Sequence, residues 1–274
     1  MRRRAERKIR KRLRNMRAEE SILARAVARL ERRGLSLREA LRNVLLDPTH
    51  DFAHRAAAGR LLALAADSSA LAALLALFHR QVEKDHLYAT ALTLEQLNDR
   101  RALPPLIRAL LEDPNPHRRH AAARALGWIH PSSRAAARAL ARCLSDPSQP
   151  QPAREEAAES LSYVGTTDSL DALIAALSDP DVPIRFWAAF GLGGCSHGEP
   201  RAIQALASIL HDPHVPPGNW WSVGREALAA LAGLPILPHN PYRQRVATET
   251  AAILANPNAT PEDRRWAEFY ASGK

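Results

Sequence analysis

Two adjacent tryptophans, Trp220 and Trp221, are the residues whose type and position best suit a binding site. They follow the Pro-Pro-Gly segment 216–218, which predicts a loop at this point of the chain. Because two neighbouring residues cannot both face the buried side of one helix, at least one indole is expected at the surface. Exposed tryptophan is enriched among residues that dominate binding energies. The alternative is that the loop folds back and buries both indoles as packing.

Arginines form a second candidate surface. Arg108, Arg138 and Arg142 lie at polar positions of segments with helical periodicity. Guanidinium groups bind carboxylates and phosphates through paired N–H donors, so a patch of them would suit an acidic protein surface or a phosphate. The alternative, which the sequence favours, is a solvated face balanced by neighbouring acids.

The N-terminal segment 1–17 concentrates the net charge of +9. It has ten basic residues, among them Arg2, Arg3, Arg4, Arg7, Lys8 and Lys11, and one acid. The rest of the chain has 28 basic and 28 acidic residues, out of totals of 38 and 29. The segment suits nucleic-acid phosphates, an anionic lipid surface, or a leader helix that only packs on the first repeat. The sequence favours the last of these.

No pattern of catalytic or metal-binding residues stands out. His50/His54 and His117/His120 have helical spacing but lack further ligands nearby in sequence. Cys143 and Cys195 fall in different repeats and form no metal-binding or disulfide pattern. The sequence therefore predicts no catalytic residue, metal or cofactor, and favours a protein without enzymatic activity. It also has no apolar run long enough for a transmembrane helix.

A repeated dipeptide predicts the helices and turns that position these residues. Asp-Pro occurs at Asp47, Asp113, Asp146, Asp179 and Asp212, with a first gap of 66 residues and then three gaps of 33. Before these turns, apolar residues recur at helical steps, and an alanine-rich helical segment follows. Each unit is therefore predicted to be two helices joined by a tight turn, with no sheet.

This pattern, "LxxLL-x-DP…R…AAxALG", resembles HEAT repeats of the short bacterial kind, similar to those of phycobilin lyases, most clearly over residues 102–232. The resemblance implies an all-α, armadillo-like, right-handed α-solenoid of about six helical hairpins. It also implies an aspartate–arginine ladder between repeats, with Asp113/Arg119 and Asp179/Arg185 at the matching positions. Arg55 and Arg154 are displaced from the pattern.

Three segments are expected: a basic N-terminal helix over 1–34, the repeats over 35–235, and C-terminal capping helices over 236–274. The long helix should end at Gly34. The aromatic residues Trp128, Phe186, Trp187 and Phe190 are expected in the core.

The predicted function is a non-catalytic, cytoplasmic HEAT-repeat scaffold that binds another protein. Two alternatives remain: a DNA-binding protein related in architecture to alkylpurine DNA glycosylases, and a bilin-lyase-like protein that holds a ligand. Nucleic acid or an anionic surface is a further candidate partner of residues 1–17.

Overall fold

The structure, a computed structural model, describes residues 21–65, 67–129, 133–164, 166–219, 221–234 and 240–271. Within these ranges fifteen α-helices and two short 3-10 helices follow one another without a strand. The predicted all-α fold of helical hairpins is thereby confirmed. No helix in the described part of the chain is both long and apolar enough to cross a membrane.

The chain divides into two compact units, of which the first runs from Met1 to His130. Its helices are α1 (Ser21–Arg32), α2 (Leu37–Leu46), α3 (Phe52–Leu64), α4 (Leu71–Arg80), α5 (Lys84–Leu97), α6 (Leu103–Glu112) and α7 (Pro116–Trp128). Three hairpins, α2–α3, α4–α5 and α6–α7, stack in order, and α1 packs on the first of them. Helix α1 ends just before Gly34, whose φ of 91° is the left-handed conformation that favours glycine.

The second unit runs from Pro131 to Lys274. Its helices are α8 (Arg134–Ser145), α9 (Gln151–Val164), α10 (Thr167–Ala176), α11 (Val182–Cys195), α12 (Pro200–Ser208), α13 (Val223–Gly233), α14 (Pro241–Ala255) and α15 (Pro261–Ala271). The hairpins α8–α9, α10–α11 and α12–α13 bring the total to the six expected. Helices α14 and α15 pack together and cover α13 through a core that includes Leu228, Val246 and Trp266.

Each Asp-Pro turn is closed by the same hydrogen bond. The aspartate Oδ1 accepts from the backbone N–H two residues later, just past the proline, which has no N–H to offer. The bonds are 2.9–3.0 Å long and join Asp47 to Thr49, Asp113 to Asn115, Asp146 to Ser148, Asp179 to Asp181, and Asp212 to His214. The turn geometry therefore explains why the dipeptide recurs.

Glycines set the spacing between the second helices of neighbouring hairpins in the second unit. A Cβ atom on Gly191 of α11 would lie 2.8 Å from the carbonyl oxygen of Ala158 on α9. A Cβ atom on Gly194 would lie 2.9 Å from the Cβ of Ser162, also on α9. Such distances are too short for packed atoms, so α9 and α11 approach this closely only because these side chains are missing.

An arginine ladder links the hairpins of the second unit. Arg154 donates from Nε to the Leu144 carbonyl at 3.0 Å and pairs with Asp179 of the next turn. Arg185 donates to the Asp179 carbonyl at 2.9 Å and pairs through Nε with Asp212 at 2.8 Å. Each arginine thus binds the turn of its own hairpin and the aspartate of the next. The ladder includes Arg154 although its position is displaced.

In the first unit two consecutive arginines of α7 bind the Asp113 turn. Asp113 pairs with Arg118 at 2.7 Å, and Arg119 donates from Nε to the Asp113 carbonyl at 2.5 Å, as Arg185 does to the Asp179 carbonyl. Arg118 is directed back towards α4, where it donates to the carbonyls of Phe78 (3.2 Å) and Gln81 (2.5 Å). It therefore stabilises the turn at which the sequence lacks its Asp-Pro.

Candidate binding site

Aromatic side chains of the second unit line a cleft of about 390 Å³. We call this cavity the aromatic cleft. Helix α11 contributes Phe186, Trp187 and Phe190, and helix α15 contributes Phe269 and Tyr270. The loop before α13 adds Gly218, Asn219 and Trp221, and α13 itself adds the buried acid Glu226.

The α11 wall follows from helical spacing. Phe186 is buried in the hairpin core, whereas Trp187 and Phe190, three residues apart, are half-buried on the side of the cleft. Their ring centroids lie 5.6 Å apart at 81°, and Trp187 meets Phe186 at 5.5 Å and 84°. This edge-to-face packing is a favoured aromatic geometry and fixes the wall on the rigid helix.

The opposite wall is built by α15 and the loop before α13. Trp221 lies 5.6 Å from Phe269, and Phe269 lies 5.1 Å from Tyr270, measured between ring centroids. Phe269 keeps 39% of its surface exposed. Tyr270 also packs at 5.2 Å on Trp266, which is fully buried and anchors α15 on α13. The C-terminal helix therefore supplies both the support and the exposed surface of this wall.

Glu226 places a buried carboxylate among these rings. Its exposed fraction is 6%, and its Oε2 accepts a hydrogen bond from the Trp221 indole N–H at 2.7 Å. Burial raises the pKa of this carboxyl from 4.5 to about 7, against the smaller, lowering effect of the Trp221 hydrogen bond. The pKa of Tyr270 is also raised, first by burial and then by the charge of Glu226. The bond to Trp221 fixes the orientation of the indole.

A second cavity, of about 350 Å³, shares Phe190, Glu226 and Tyr270 with the aromatic cleft. Its remaining lining is small or polar and includes Gly193, Gly194 and Ser162. The two cavities therefore adjoin along these three shared residues.

Comparison with known proteins bears on the repeat architecture. A sequence profile of HEAT repeats matches residues 82–162 and 148–232, which together make up more than half of the chain. The chain belongs to the HEAT-repeat family. No curated protein matches its sequence significantly.

Several solved structures resemble this HEAT-repeat protein in fold. The complex of CpcE and CpcF of phycocyanin lyase from Nostoc sp. PCC7120 has 22% identity and a TM-score of 0.49, covering 87% of this chain and 94% of that one. An archaeal HEAT-like repeats protein from Thermococcus onnurineus NA1 has 18% identity and a TM-score of 0.48, covering 87% and 96%. Human deoxyhypusine hydroxylase has 21% identity and a TM-score of 0.32, covering 86% and 94%.

One of the two candidate tryptophans of this HEAT-repeat protein, Trp221, lies in the aromatic cleft. Trp221 is half-buried, with its N–H bonded to Glu226, whereas Trp220 lies outside the described residues. Trp187 and Phe190, expected in the core, line the cleft instead. Trp128 was also expected in the core but is 42% exposed at the end of α7, because it is the last residue of that helix.

The candidate arginines lie on the first helices of their hairpins. Arg108 is exposed on α6 in the first unit, and Arg138 and Arg142 are exposed on α8 in the second. A joint basic patch stays a prediction. The basic segment 1–17, with Arg2, Arg3, Arg4, Arg7, Lys8 and Lys11, lies outside the described residues.

The described histidines and cysteines do not form a metal-binding cluster. Across the described ranges, no group of three or more His, Cys, Asp or Glu residues could hold a metal ion. The rings of His50 and His54 lie 6.5 Å apart between centroids, and Cys143 and Cys195 are buried and not joined in a disulfide.

Sequence reasoning missed Glu226, Phe269 and Tyr270 as site residues. A signal for Glu226 exists: it lies three residues after Val223 and four before Ala230, so a carboxylate occupies the apolar face of α13. Carboxylates are almost never fully buried without a partner, which makes such a position informative. Nothing in the sequence indicates that α15 reaches the same place.

Proposed function

We propose that this HEAT-repeat protein is a non-catalytic scaffold that binds another protein, and that a side chain of the partner enters the aromatic cleft. The observation that carries the proposal is the set of partly exposed aromatic rings around a buried carboxylate. Tryptophan and tyrosine are enriched among interface residues that dominate binding energy, particularly where they form pockets. Such residues on rigid helices need little reordering when a partner binds.

The size of the cleft suits a side chain or a short segment. Its volume of about 390 Å³ is near the lower end of the 300–1,000 Å³ that is common for ligand pockets. Phe269, on the rim, is exposed and would contact the partner outside the pocket. An anchor in a pocket, surrounded by contacts that exclude water, is the usual arrangement at the centre of an interface.

A catalytic role for Glu226 is less well supported. A carboxyl with a pKa near 7 would suit general acid–base chemistry. However, the other described lining residues of the aromatic cleft are aromatic, except for Gly218 and Asn219. They provide neither the second carboxylate of a glycosidase nor an activated nucleophile.

The proposed scaffold acts in the cytoplasm. Both cysteines, Cys143 and Cys195, are buried and neither is in a disulfide, which fits a reducing compartment.

Site-specific photo-crosslinking tests the proposal. A photoreactive benzoylphenylalanine replaces Phe269 at the rim of the cleft, and in a matched variant it replaces Trp128, an exposed aromatic residue of the first unit. Both variants are expressed in cells of the source organism and irradiated, and the adducts are identified by mass spectrometry. We expect a protein that crosslinks to position 269 and not to position 128.

The recovered partner is then purified and its affinity measured. The double variant Phe190→Ala/Phe269→Ala, which shortens both walls, should bind it at least about tenfold more weakly, since a hot-spot truncation costs about 2 kcal/mol or more. Equal affinity for wild type and the double variant, with melting temperatures unchanged, would contradict a role for the cleft.

A further inference from the structure

We propose that the aromatic cleft recognises a methylated ammonium group, and that its natural occupant is a methylated lysine side chain of the partner protein. The inference rests on the proposed function, because it assigns the chemistry of the side chain that enters the cleft. It is carried by the geometry of the carboxylate, by the aromatic walls, and by the small number of hydrogen-bond acceptors in the lining.

Among the described residues, no cation pairs with the buried carboxylate of Glu226. Its Oε2 accepts from the Trp221 indole N–H, which is the donor to this carboxylate among the described residues, so Oε1 remains available to a ligand. Arg225, the preceding residue, pairs with Asp263 and lies 5.1 Å from the Trp266 ring centroid. A buried carboxylate costs free energy unless a cation compensates it. An ammonium group in the cleft would provide that compensation.

The walls suit the same charge. Trp187, Phe190, Trp221, Phe269 and Tyr270 all border the cleft. The face of an aromatic ring carries partial negative charge and attracts a cation within about 6 Å of its centroid, most strongly where water is excluded. Rings on two walls with a carboxylate between them therefore favour an organic cation over a neutral group of equal shape.

The acceptor count favours a methylated nitrogen. An unmodified lysine ammonium has three N–H donors, each of which needs an acceptor once it leaves water. The lining offers one charged acceptor that the indole leaves open, Oε1 of Glu226, and two neutral side-chain oxygens, those of Asn219 and Tyr270, between largely apolar walls. A dimethylated ammonium keeps one N–H, which matches the one charged oxygen. Its methyl groups add apolar surface that packs against the rings.

NMR titration of the whole protein tests the inference. The five tryptophans give five indole N–H signals, and the Trp221→Phe variant identifies the one from Trp221, which is bonded to Glu226. The probes are the capped amino acids acetyl-dimethyllysine-, acetyl-lysine- and acetyl-norleucine-methylamide, with choline as a free quaternary amine. All titrations are carried out at pH 8 and constant ionic strength.

We expect the Trp221 signal to shift with dimethyllysine at a Kd at least about tenfold below that for norleucine, the neutral comparison, as a desolvated cation–π contact implies. Lysine should bind more weakly than dimethyllysine. In the Glu226→Gln variant, which keeps an acceptor for the indole, the preference for the cation should fall to less than about threefold. The matched Glu262→Gln variant, at an exposed position of α15, should keep the wild-type preference.

Equal binding of dimethyllysine and norleucine would overturn the inference, as would tighter binding of choline than of dimethyllysine, which would indicate a free amine as the occupant. No shift with any probe would overturn it as well. In each case the crosslinking result at position 269 decides the proposed function separately, because a partner could still bind the cleft through an uncharged side chain.

Discussion

The Glu226→Gln substitution should stabilise the free protein in a manner that depends on pH. The carboxyl ionises near pH 4.5 in the unfolded chain and near pH 7 in the folded one, because burial raises its pKa. Between these values the folded state binds more protons than the unfolded state, so stability falls as the pH rises. Below pH 4.5 both states are protonated, and above pH 7 the full cost of the buried charge is present.

The size of this effect follows from the same pKa. Each pKa unit corresponds to about 1.36 kcal/mol, so a rise from 4.5 to about 7 makes the ionised form about 3 kcal/mol costlier. Glutamine has nearly the same shape, keeps an acceptor for Trp221 and carries no charge. At pH 8 the free energy of unfolding of the variant should therefore exceed that of the wild type by up to about 3 kcal/mol, and near pH 5 the difference should be small.

Thermal unfolding of wild type and variant at pH 5, 6, 7 and 8 measures their difference in stability directly. The contributions of titrating groups that both proteins share cancel in that difference. A domain of this size gains about 2–4 °C in melting temperature per kcal/mol. Glu262→Gln, at an exposed position, serves as the matched control and should follow the wild type. A Glu226→Gln variant no more stable than wild type at pH 8, or a difference that is the same at pH 5 and pH 8, would refute the reasoning.

Three further predictions concern the repeats. Arg185→Ala removes a partly buried ion pair with Asp212 and should lower the free energy of unfolding, measured by chemical denaturation, by about 3 kcal/mol. Arg201→Ala, which removes an exposed pair with Asp171, should lower it by less than about 1 kcal/mol. Equal losses would contradict the role of the ladder. Gly191→Ala should destabilise by about 1–3 kcal/mol because its Cβ meets the Ala158 carbonyl, and Gly233→Ala, with open space around its Cβ, should be close to neutral. Both cysteines should react with a thiol reagent only after unfolding. Burial raises the pKa of the Cys195 thiol to about 11, and the side chain of Cys143 is also buried. Rapid labelling of the native protein at pH 8 would disprove this.

The repeat architecture could be predicted because its signals are local. The Asp-Pro turn needs only an aspartate Oδ1 and the N–H two residues later, so the dipeptide marks each turn in the sequence. Apolar residues at helical steps then predict the helices on either side. The ladder was predicted only in part, because the sequence pattern did not indicate that Arg118 and Arg154 would pair with turn aspartates.

The cleft could not be predicted in the same way because its walls are far apart in sequence. Trp187 on α11 and Phe269 on α15 are separated by more than eighty residues, and their proximity depends on how α14 and α15 pack on α13. Helical periodicity shows that Trp187 and Phe190 share a face, but it does not show whether that face is covered. The sequence singled out Trp221 for its loop position, and its bond to Glu226 appears only in the folded chain.

The affinity of the crosslinked partner for three purified proteins tests the central claim most directly. These are the wild type, the cleft variant Phe190→Ala/Phe269→Ala and the distant variant Trp128→Ala, measured by calorimetry at one pH and salt concentration. The account predicts a loss of at least about tenfold for the cleft variant alone. Unchanged affinity for the cleft variant, or an equal loss for Trp128→Ala, would contradict it.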